Sequence, residues 1–472
     1  MNLPSSLTAI LCVLQAIHTS VSKPPNMVVL VLDDVGYGDL TSFWNPDNEP
    51  PSTPFIDSMA EYGIKFTDFV SPSSVCTASR GSLLTARMSK RTGLTNVIFP
   101  SSIEGLPLNE TTFGETFKAA GYRTAMVGKW HVGEHGPYHA TGRAIPLYDN
   151  DTVIEQPVDM RNLSKQYIEV TTRWIKEGNN TRPFLLYVGL ALMHAPFYIL
   201  PEFVGKSSRG THYGDALLEM DWTVENIVNT IREIGEEENT LIWVASDNGP
   251  GEILCEYGGS PGPFTAEWQR NEGGGGSGSK WSIWEGGLRL PALAYWPGTI
   301  KGGQVSDELV SIMDIYPTMA SFAGVEMPGD RIYDGIDISN ILLGKALYTA
   351  ERVLYFQNSE YHQDERNGNI EAVRVGQYKG VYKTGGTMDC NGISGPDVYY
   401  DTPLIFNVKT DAAESSPLTE ASRDYSSALA IIQQAMGNLN VTLAEGKVST
   451  IDYTNNPCVA PCCNSLKPNC RC

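Results

Sequence analysis

Two pairs of oxygen-bearing side chains stand directly after apolar runs of the chain. Asp33 and Asp34 follow one run, and Asp247 and Asn248 follow another. Taken singly, each pair is explained by a turn or a helix cap. Three carboxylates and one amide oxygen at the ends of two parallel-type strands favour a hard cation, Ca²⁺ or Mg²⁺, over zinc. The sequence therefore predicts one divalent cation between these four side chains.

Five basic side chains supply positive charge and transferable protons. Lys129 and His131 leave a third apolar run together, and His194 follows a fourth, which directs these side chains toward one cleft. Arg80 and Lys280 complete the set, although the glycine-rich surroundings of Lys280 also fit a plain surface loop. A lone histidine is usually structural, but two of the seven histidines here stand at strand ends beside the acid pairs. Such groups fix an anion and protonate the leaving oxygen of an ester.

The elements that must position these residues alternate between strands and helices. Apolar runs predict strands over 26–32, 124–129, 183–190 and 240–246, and amphipathic patterns predict helices over 54–62, 112–120, 163–177 and 213–234. This alternation predicts an α/β sheet with helices on both faces. Functional groups in such sheets gather beyond the carboxyl ends of the strands, where all four runs here end in polar residues.

The pattern changes near residue 350. Short strand-like runs over 353–356, 372–375 and 378–382 and a helix over 426–439 predict a small antiparallel sheet carrying a helix. We therefore expect a signal peptide over 1–22, a catalytic domain over 23–345 and a smaller C-terminal domain over 346–472 that ends in a Cys-rich tail. The glycine-rich segment 271–280 predicts a flexible surface loop.

The net charge of the chain limits its partners. The 472 residues carry a formal charge of −20, which argues against nucleic acid and polybasic-type membrane binding. Any site for an anionic substrate must then be a local cluster of basic residues. The sequence contains no apolar run long enough for an integral membrane segment.

Several features predict passage through the secretory pathway. The apolar run 7–17 with small residues at 20–22 resembles a signal peptide, although basic residues are missing before it. Five sequons for N-glycosylation follow, at Asn109, Asn150, Asn162, Asn179 and Asn440. Seven of the nine cysteines lie outside the signal and position 76, namely Cys255, Cys390, Cys458, Cys462, Cys463, Cys470 and Cys472. In an oxidising compartment such a set predicts disulfides rather than zinc, with Cys255 and Cys390 a candidate pair. Because seven is odd, one thiol stays free or bonds between chains.

The segment Cys76-Thr77-Ala78-Ser79-Arg80 resembles the signature of type I sulfatases, C-x-[P/A]-x-R. In that family the cysteine is oxidised to formylglycine by a formylglycine-generating enzyme, and the hydrated aldehyde attacks sulfur. The chain departs from the family at Ala86, where glycine is usual. Without the resemblance, Cys76 would be an ordinary buried cysteine before a helix.

Further motifs extend the resemblance over most of the mature chain. Residues 128–131 (Gly-Lys-Trp-His), 246–250 (Ser-Asp-Asn-Gly-Pro) and 284–289 (Trp-Glu-Gly-Gly-Leu-Arg) match family motifs, and Lys280 stands where the family has a substrate lysine. Residues 182–220 and 403–406 are similar to the N-acetylgalactosamine-6-sulfatase branch, and residues 100–108 to the arylsulfatase A branch. Between His131 and Tyr148 this chain is shorter than the members of both branches. The family's substrate-contacting serine falls in that region, and we assign no serine of this chain to its role.

The resemblance implies an alkaline-phosphatase-like fold, in which a large mixed sheet is flanked by helices and a smaller C-terminal domain has an antiparallel sheet and a helix. It also implies roles for the residues singled out above. One Ca²⁺ is held by Asp33, Asp34, Asp247, Asn248 and the formylglycine made from Cys76. Arg80 and Lys129 hold the formylglycine hydrate. His194 and Lys280 serve the leaving alcohol, and His131 takes a proton so that the aldehyde re-forms.

The substrate class follows from the branch. We expect a sulfated sugar of glycosaminoglycan type, with an arylsulfatase A-like action on a sulfated glycolipid as the alternative. A phosphodiesterase or phosphatase of the same superfamily would use two zinc ions, and Asn248 in place of a histidine argues against it. A non-catalytic secreted homologue is the remaining alternative. The expected location is a lysosome or the extracellular space, and a homodimer is left open.

Overall fold

The computed structural model describes residues 23–456 except 49, 51, 100–101, 134–146, 151, 157, 179–180, 346–350 and 358–367. Several expectations fall outside this range. They are the signal peptide 1–22, the sequon at Asn179, the tail cysteines from Cys458 onward and most of the short segment before Tyr148. These expectations stay predictions.

Fifteen strands are present in the described residues. They are β1 (Asn26–Leu32), β2 (Ile64–Phe66), β3 (Phe69–Val70), β4 (Arg123–Gly128), β5 (Leu147–Asp149), β6 (Thr152–Glu155), β7 (Phe184–Leu190), β8 (Thr240–Ser246), β9 (Ala292–Tyr295), β10 (Gln304–Ser306), β11 (Val310–Ser311), β12 (Val353–Gln357), β13 (Ile370–Val375), β14 (Tyr378–Thr384) and β15 (Val398–Asn407). The four strands predicted for the first domain are confirmed, two of them to the residue.

Eleven α-helices accompany them in the same part of the chain. They are α1 (Pro54–Tyr62), α2 (Cys76–Thr85), α3 (Ser89–Thr92), α4 (Phe113–Ala119), α5 (Leu163–Glu177), α6 (His212–Glu233), α7 (Glu267–Asn271), α8 (Glu285–Leu288), α9 (Ile315–Ala323), α10 (Ser339–Leu342) and α11 (Tyr425–Glu445). The predicted helices correspond to α1, α4, α5 and α6, and all four are confirmed.

The large sheet is mixed and has seven strands in the order β10-β2-β9-β8-β1-β7-β4. The strands β8, β1, β7 and β4 run parallel, whereas β9 pairs antiparallel with β8 and β2. The strand β1 lies inside this parallel block, and all of its residues are buried. Its continuous apolar run is therefore the pattern expected for a strand covered on both faces.

Each face of the large sheet has its own hydrophobic core. Along β1, Val28 and Leu30 join one core, and Val29 and Val31 join the other, because successive side chains of a strand point to opposite faces. Residues of α1, α5 and α6 complete the first core. Residues of α2, α4 and α9 complete the second. The helices thus cover both faces and leave the carboxyl ends of β1, β4, β7 and β8 free to carry loops.

The C-terminal region contains the predicted antiparallel sheet and helix. Its strands lie in the order β12-β13-β14-β15, and α11 packs on them through Ile432 against Val373 and Ile405. The fourth strand, β15, was not predicted. Side chains of this sheet such as Phe356 also join the core formed with α2. The exact boundary between residues 345 and 346 stays a prediction.

The predicted pairing of Cys255 with Cys390 is confirmed. This disulfide ties the loop after β8 to the loop between β14 and β15. Among the described cysteines, Cys76 alone is unpaired, and it is buried. The C-terminal region is therefore linked covalently to a loop that begins beside Asp247 and Asn248.

Candidate active site

The two acid pairs lie next to each other at the carboxyl edge of the sheet. Leu32 and Ser246 are register partners in neighbouring parallel strands, so the residues that follow them meet. The backbone N–H of Asp34 donates to Oδ1 of Asp247 at 3.2 Å, and Nδ2 of Asn248 donates to Oδ1 of Asp34 at 2.7 Å. The four side chains predicted to bind a metal are therefore neighbours.

Cys76 is the first residue of α2, and the whole helix is buried. Its Sγ and one carboxylate oxygen each of Asp33 and Asp34 all lie within 4.8 Å of one another. Burial raises the pKa of the Cys76 thiol. A thiol kept protonated is a poor nucleophile, so the buried position of Cys76 favours chemistry other than that of a free thiolate.

Arg80 lies one helical turn after Cys76 and is fully buried. Its Nε donates to Oδ2 of Asp247 at 2.8 Å, and its Nη1 donates to the carbonyl oxygen of Lys129 at 3.0 Å. The same Nη1 donates to the hydroxyl of Tyr187 at 3.1 Å. Arg80 therefore joins α2 to the ends of β8 and β4 and to the middle of β7. The spacing of four residues puts Cys76 and Arg80 on one face of the helix.

Lys129 and Lys280 each contact one carboxylate of the first acid pair. Lys129 Nζ lies 2.7 and 2.8 Å from the carboxylate oxygens of Asp33, and Lys280 Nζ lies 2.6 and 2.7 Å from those of Asp34. Burial alone would raise the pKa of Asp33, but Lys129 and Arg80 hold it well below its usual range. Both lysines are buried and point into the site.

The segment that carries Lys280 is not the exposed, flexible loop that its composition predicts. The consecutive glycines 274–276 adopt positive φ, and a Cβ on the last of them would lie 2.7 Å from the carbonyl oxygen of Thr387. Ser277 donates its backbone N–H to that same carbonyl at 2.7 Å, and Lys280 is buried. These glycines allow left-handed backbone and close packing against the C-terminal region rather than free motion.

The two histidines differ in how closely the structure ties them to the acids. His194 Nε2 lies 3.9 Å from Oδ2 of Asp34, while its Nδ1 is 2.9 Å from the carbonyl oxygen of Ala195. Burial, together with the charges of Lys129 and Lys280, lowers the pKa of His194. His131 is buried on the loop after β4 and has φ of 62°.

The donor set fits a hard divalent cation. The Asp33, Asp34 and Cys76 side chains form a three-member group that could surround an ion. Oδ1 of Asn248 is buried without a hydrogen-bond partner, although a buried amide oxygen normally has one. An ion beside Asp34 would give this oxygen its missing partner, and carboxylate and amide oxygens are ligands of Ca²⁺ and Mg²⁺.

Two residues that support the site were not predicted. Tyr187 lies inside the apolar run of β7, and its hydroxyl accepts a hydrogen bond from Arg80. Asp39 is fully buried below the loop after β1 and accepts hydrogen bonds from Gly36 N and from the Tyr213 hydroxyl, both at 2.7 Å. A polar atom within an apolar run was the available clue for Tyr187, and a third acid shortly after Asp33 and Asp34 was the clue for Asp39.

Comparison with protein families decides which chemistry this geometry serves. The family model described as "Sulfatase" matches residues 25–325, and the model for the "C-terminal region of aryl-sulfatase" matches residues 350–472. The chain belongs to the sulfatase family. Sulfatases hydrolyse sulfate esters, so the enzyme class expected from the Cys76 signature is confirmed.

Individual relatives support the same assignment. Arylsulfatase G of Rattus norvegicus is 39% identical to this sulfatase, over 95% of this chain and 93% of the relative. N-acetylgalactosamine-6-sulfatase of Canis lupus familiaris is 33% identical over 95% and 91%. Arylsulfatase A of Bos taurus is 32% identical over 96% of each chain. Both branches expected from the sequence are thus confirmed as relatives, and arylsulfatase G is a further one.

Solved structures confirm the fold class. The PsFucS1 sulfatase from Pseudoalteromonas sp. superposes with a TM-score of 0.75 at 25% identity, covering 91% of this chain and 92% of that one. The large mixed sheet with helices and the C-terminal antiparallel sheet are therefore the sulfatase architecture. In the part of the chain that the structure describes, no helix has the length and apolar character needed to cross a membrane.

Proposed function

We propose that this sulfatase cleaves sulfate monoesters of sugars with a formylglycine made from Cys76 and one bound Ca²⁺. The observation that carries the proposal is the position of Cys76. It begins a buried helix, within 4.8 Å of the Asp33 and Asp34 carboxylates, in the sequence context of the sulfatase signature. A residue modified in this position presents its new oxygen atoms to the acids and to the basic side chains around them.

The charge balance of the site supports a role for the cation. The three carboxylates of Asp33, Asp34 and Asp247 are matched by three basic side chains, those of Arg80, Lys129 and Lys280. A divalent cation among them gives the site a net positive charge, which suits a sulfate monoester anion. This local charge resolves the conflict between an anionic substrate and a chain whose overall charge is −20. When bound, the cation supplies Lewis-acid polarisation of the sulfate oxygens.

The basic residues divide the remaining work by their positions. Arg80 and Lys129 lie on the side of Cys76 that faces Asp33 and Asp247, and they hold and orient the nucleophilic group. His194 and Lys280 lie around Asp34, and they deliver a proton or positive charge to the leaving oxygen. His131 accepts the proton whose removal releases sulfate and restores the aldehyde. Sulfate is thus first transferred to the modified Cys76 and then released from it, and such a division into two steps is typical of nucleophilic catalysis.

The sugar preference is supported by the relatives rather than by the site itself. N-acetylgalactosamine-6-sulfatase is among them. A protein of the same fold, 16% identical with a TM-score of 0.65, was solved in complex with its substrate D-glucosamine-2-N,6-O-disulfate, so the fold accommodates sulfated sugars. Arylsulfatase A is an equally similar relative. A sulfated glycolipid is therefore the second candidate substrate.

We further propose that the enzyme is a secreted or lysosomal glycoprotein that meets a formylglycine-generating enzyme during its synthesis. The Cys255–Cys390 disulfide supports an oxidising compartment. The four sequon asparagines within the described residues, Asn109, Asn150, Asn162 and Asn440, are exposed. Exposure is what attachment of a glycan requires.

Mass spectrometry of active enzyme tests the nucleophile directly. Cleavage after Lys65 and Arg80 releases the peptide 66–80, in which the CH2–SH group of Cys76 should be replaced by CHO. Cys76→Ala should abolish turnover of an aryl sulfate and leave the fold intact, since the side chain faces the site. Active protein whose peptide carries only the unmodified thiol would contradict the proposal.

A matched substrate panel tests the sugar assignment. The aryl sulfate reports competence only, because sulfatases with different natural substrates share it. An oligosaccharide ending in N-acetylgalactosamine-6-sulfate and a sulfated galactolipid are then compared by kcat/KM. We expect the oligosaccharide to be preferred. Preference for the galactolipid would replace the sugar assignment with the arylsulfatase A-like alternative.

A further inference from the structure

Three aromatic rings from separate segments pack together, with Tyr257 in contact with the other two. The ring centroids of Phe197 and Tyr257 are 6.4 Å apart, and those of His212 and Tyr257 are also 6.4 Å apart with an interplanar angle of 27°. Tyr257 is 43% exposed. We call Phe197, His212 and Tyr257 the aromatic wall.

The aromatic wall borders the side of the site that carries His194 and Lys280. Phe197 lies three residues after His194, on the loop that follows β7. Tyr257 belongs to the loop that starts at Asn248, and Pro250 of that loop accepts the backbone N–H of Lys280 at 3.1 Å. Since His194 and Lys280 serve the leaving oxygen, the wall adjoins the space that the leaving group occupies.

Several bonds fix the wall in place. Phe197 packs edge-on against buried Tyr213, whose hydroxyl donates to Asp39. The turn that presents Tyr257 is closed by the N–H of Gly258 on the carbonyl oxygen of Cys255, and the disulfide of Cys255 anchors it to the C-terminal region. Rings held this way are preorganised for a ligand, which lowers the entropy cost of binding.

The chemistry of the wall suits a sugar ring better than a lipid surface. Sugar rings present a face of C–H groups that packs on aromatic faces, while their hydroxyls stay in water. Glu256 is exposed next to Tyr257, whereas Glu252 on the same loop is paired with Arg270 at 2.8 Å. The Glu256 carboxylate and the net charge of −20 disfavour docking to an anionic membrane.

We propose that the aromatic wall is a subsite that stacks against a sugar ring of the leaving group, with Tyr257 as its principal contact. This proposal rests on the function proposed above and adds the residues that select an oligosaccharide. Nothing in the chemistry at Cys76 requires Tyr257. Its loss should therefore weaken substrate binding rather than alter the reacting groups.

Kinetics with an oligosaccharide ending in N-acetylgalactosamine-6-sulfate provide the first test. Tyr257→Ala should lower kcat/KM about ten-fold, mostly through KM, whereas Tyr257→Phe keeps the ring and should stay within about two-fold. Tyr62→Ala is the matched control, because Tyr62 is 62% exposed at the end of α1 and touches none of the wall. It should behave as the wild type. Equal kcat/KM for Tyr257→Ala and the wild type would overturn the proposal.

Binding to inactive protein separates this proposal from the proposed function. In the Cys76→Ala background, calorimetry compares the oligosaccharide and an analogue ending in glucosamine-6-sulfate with and without Tyr257→Ala. A rise in Kd of about ten-fold for the tighter ligand supports the subsite. The subsite proposal is overturned if Kd is unchanged by Tyr257→Ala, or if neither sugar binds. It is also overturned if sulfated galactolipid binds more tightly than both sugars and Tyr257→Ala abolishes that binding. Failure of the function itself would appear separately, as inactivity of the wild type on an aryl sulfate.

Discussion

Two buried clusters in this molecule each contain as many acidic as basic side chains, and we propose that they serve different purposes. The catalytic cluster pairs three acids with three bases, Asp33, Asp34 and Asp247 with Arg80, Lys129 and Lys280. The interface network also pairs three acids with three bases, Asp68, Glu285 and Glu414 with Arg289, Arg374 and Lys379. The interface network joins the Glu285–Leu288 helix and the segment after β2 to the C-terminal sheet.

The clusters differ in how completely their members satisfy one another. Glu285 contacts Arg289 at 2.6 Å and Lys379 at 3.1 Å, and Lys379 also contacts Glu414 at 2.8 Å. Glu414 in turn accepts the backbone N–H of Glu285 at 2.7 Å. In the catalytic cluster, by contrast, the Asn248 oxygen is buried without a hydrogen-bond partner, and Cys76 lies among the acids. Arg289 Nη2 of the interface network also lacks a well-aligned hydrogen bond, but it lies 2.6 Å from a Glu285 oxygen, so its charge is matched. A network whose charges are matched holds two regions together, whereas one with an unpartnered oxygen is suited to take a ligand.

The largest expected effect is on activity and comes from the catalytic cluster. Asp34→Asn keeps the shape of the side chain but removes a carboxylate that meets Lys280 and Asn248. We expect loss of bound calcium and a fall in kcat of about 1,000-fold or more. The thermal midpoint should also fall, because Lys280 is left buried without its carboxylate. Elemental analysis, kinetics and calorimetry measure the three quantities.

The control for this variant is Asp307→Asn, since Asp307 is an exposed partner of Lys409 far from the cluster. It should keep metal and turnover. If Asp34→Asn retained calcium at full stoichiometry, Asp34 would not be a ligand. The proposal that the catalytic cluster, unlike the interface network, binds a metal through Asp34 would then be wrong.

Next in size is the loss of stability expected from the interface network. Lys379→Met leaves Glu285 and Glu414 buried without their shared amine, and breaking a buried ion pair in this way costs about 3–5 kcal/mol. The free energy of unfolding should fall by that amount, while kcat per folded molecule stays near the wild-type value. Denaturant unfolding and active-site titration make the measurement.

Lys409→Met provides the comparison, because Lys409 forms an ion pair with Asp307 in which both side chains are largely exposed. Its loss should change the unfolding free energy by less than about 1 kcal/mol. A large drop in kcat for folded Lys379→Met would instead mean that the interface network also positions the catalytic residues.

The effect of calcium on the free energy of unfolding should distinguish the catalytic cluster from the interface network. At 100 times its Kd, a ligand bound only by the folded state adds about 2.7 kcal/mol to the unfolding free energy. We expect that increment in the wild type and in Lys379→Met, and none in Asp34→Asn. The metal-free enzyme should remain folded, because Arg80, Lys129 and Lys280 already balance the three acids. Two equivalents of zinc in purified, active enzyme would contradict this view and favour the superfamily alternative.

The elements that the sequence predicted well are those with a strong local pattern. The bounds of β1, β8 and α5 were predicted to the residue, because long apolar or amphipathic runs are cut off sharply by polar residues or glycine. The β15 strand was not predicted, since Asp401 and Pro403 interrupt its pattern and Pro is rare inside sheets. Its pairing with β14 is irregular between Val381 and Lys383, which accommodates the interruption.

The site was predictable where strand ends converge, and not where distant segments meet. Parallel neighbours brought Asp33 and Asp34 to Asp247, as the sheet rule requires. Lys280 was harder, because its burial depends on packing of the preceding glycines against residues near 387. The same holds for Asp68 and Arg374, whose contact spans 306 residues of sequence and has no local pattern.

The smallest expected effect concerns Asp221, a buried carboxylate that belongs to neither cluster. It accepts the backbone N–H groups of Phe55 and Ile56 at 2.9 and 2.8 Å, and burial raises its pKa to about 7. An acid whose pKa is higher in the folded than in the unfolded state stabilises the fold when protonated. The free energy of unfolding should therefore fall as pH rises from about 4 to about 7.

Between pH 5 and pH 7 this single group should lower the unfolding free energy by roughly 2 kcal/mol. Asp221→Asn cannot ionise, so the part of the pH dependence of the unfolding free energy that comes from Asp221 should vanish. At low pH the variant should be less stable than the wild type by about 1 kcal/mol, because the amide offers one acceptor oxygen in place of two. Asp307→Asn, which changes an exposed carboxylate, should leave the slope intact. Denaturant unfolding of the three proteins at half-unit pH steps makes the comparison. An unaltered slope in Asp221→Asn would show that Asp221 stays ionised in the fold, held by the two N–H groups. A reduced slope would give the enzyme a built-in preference for an acidic lumen, independent of its catalytic cluster.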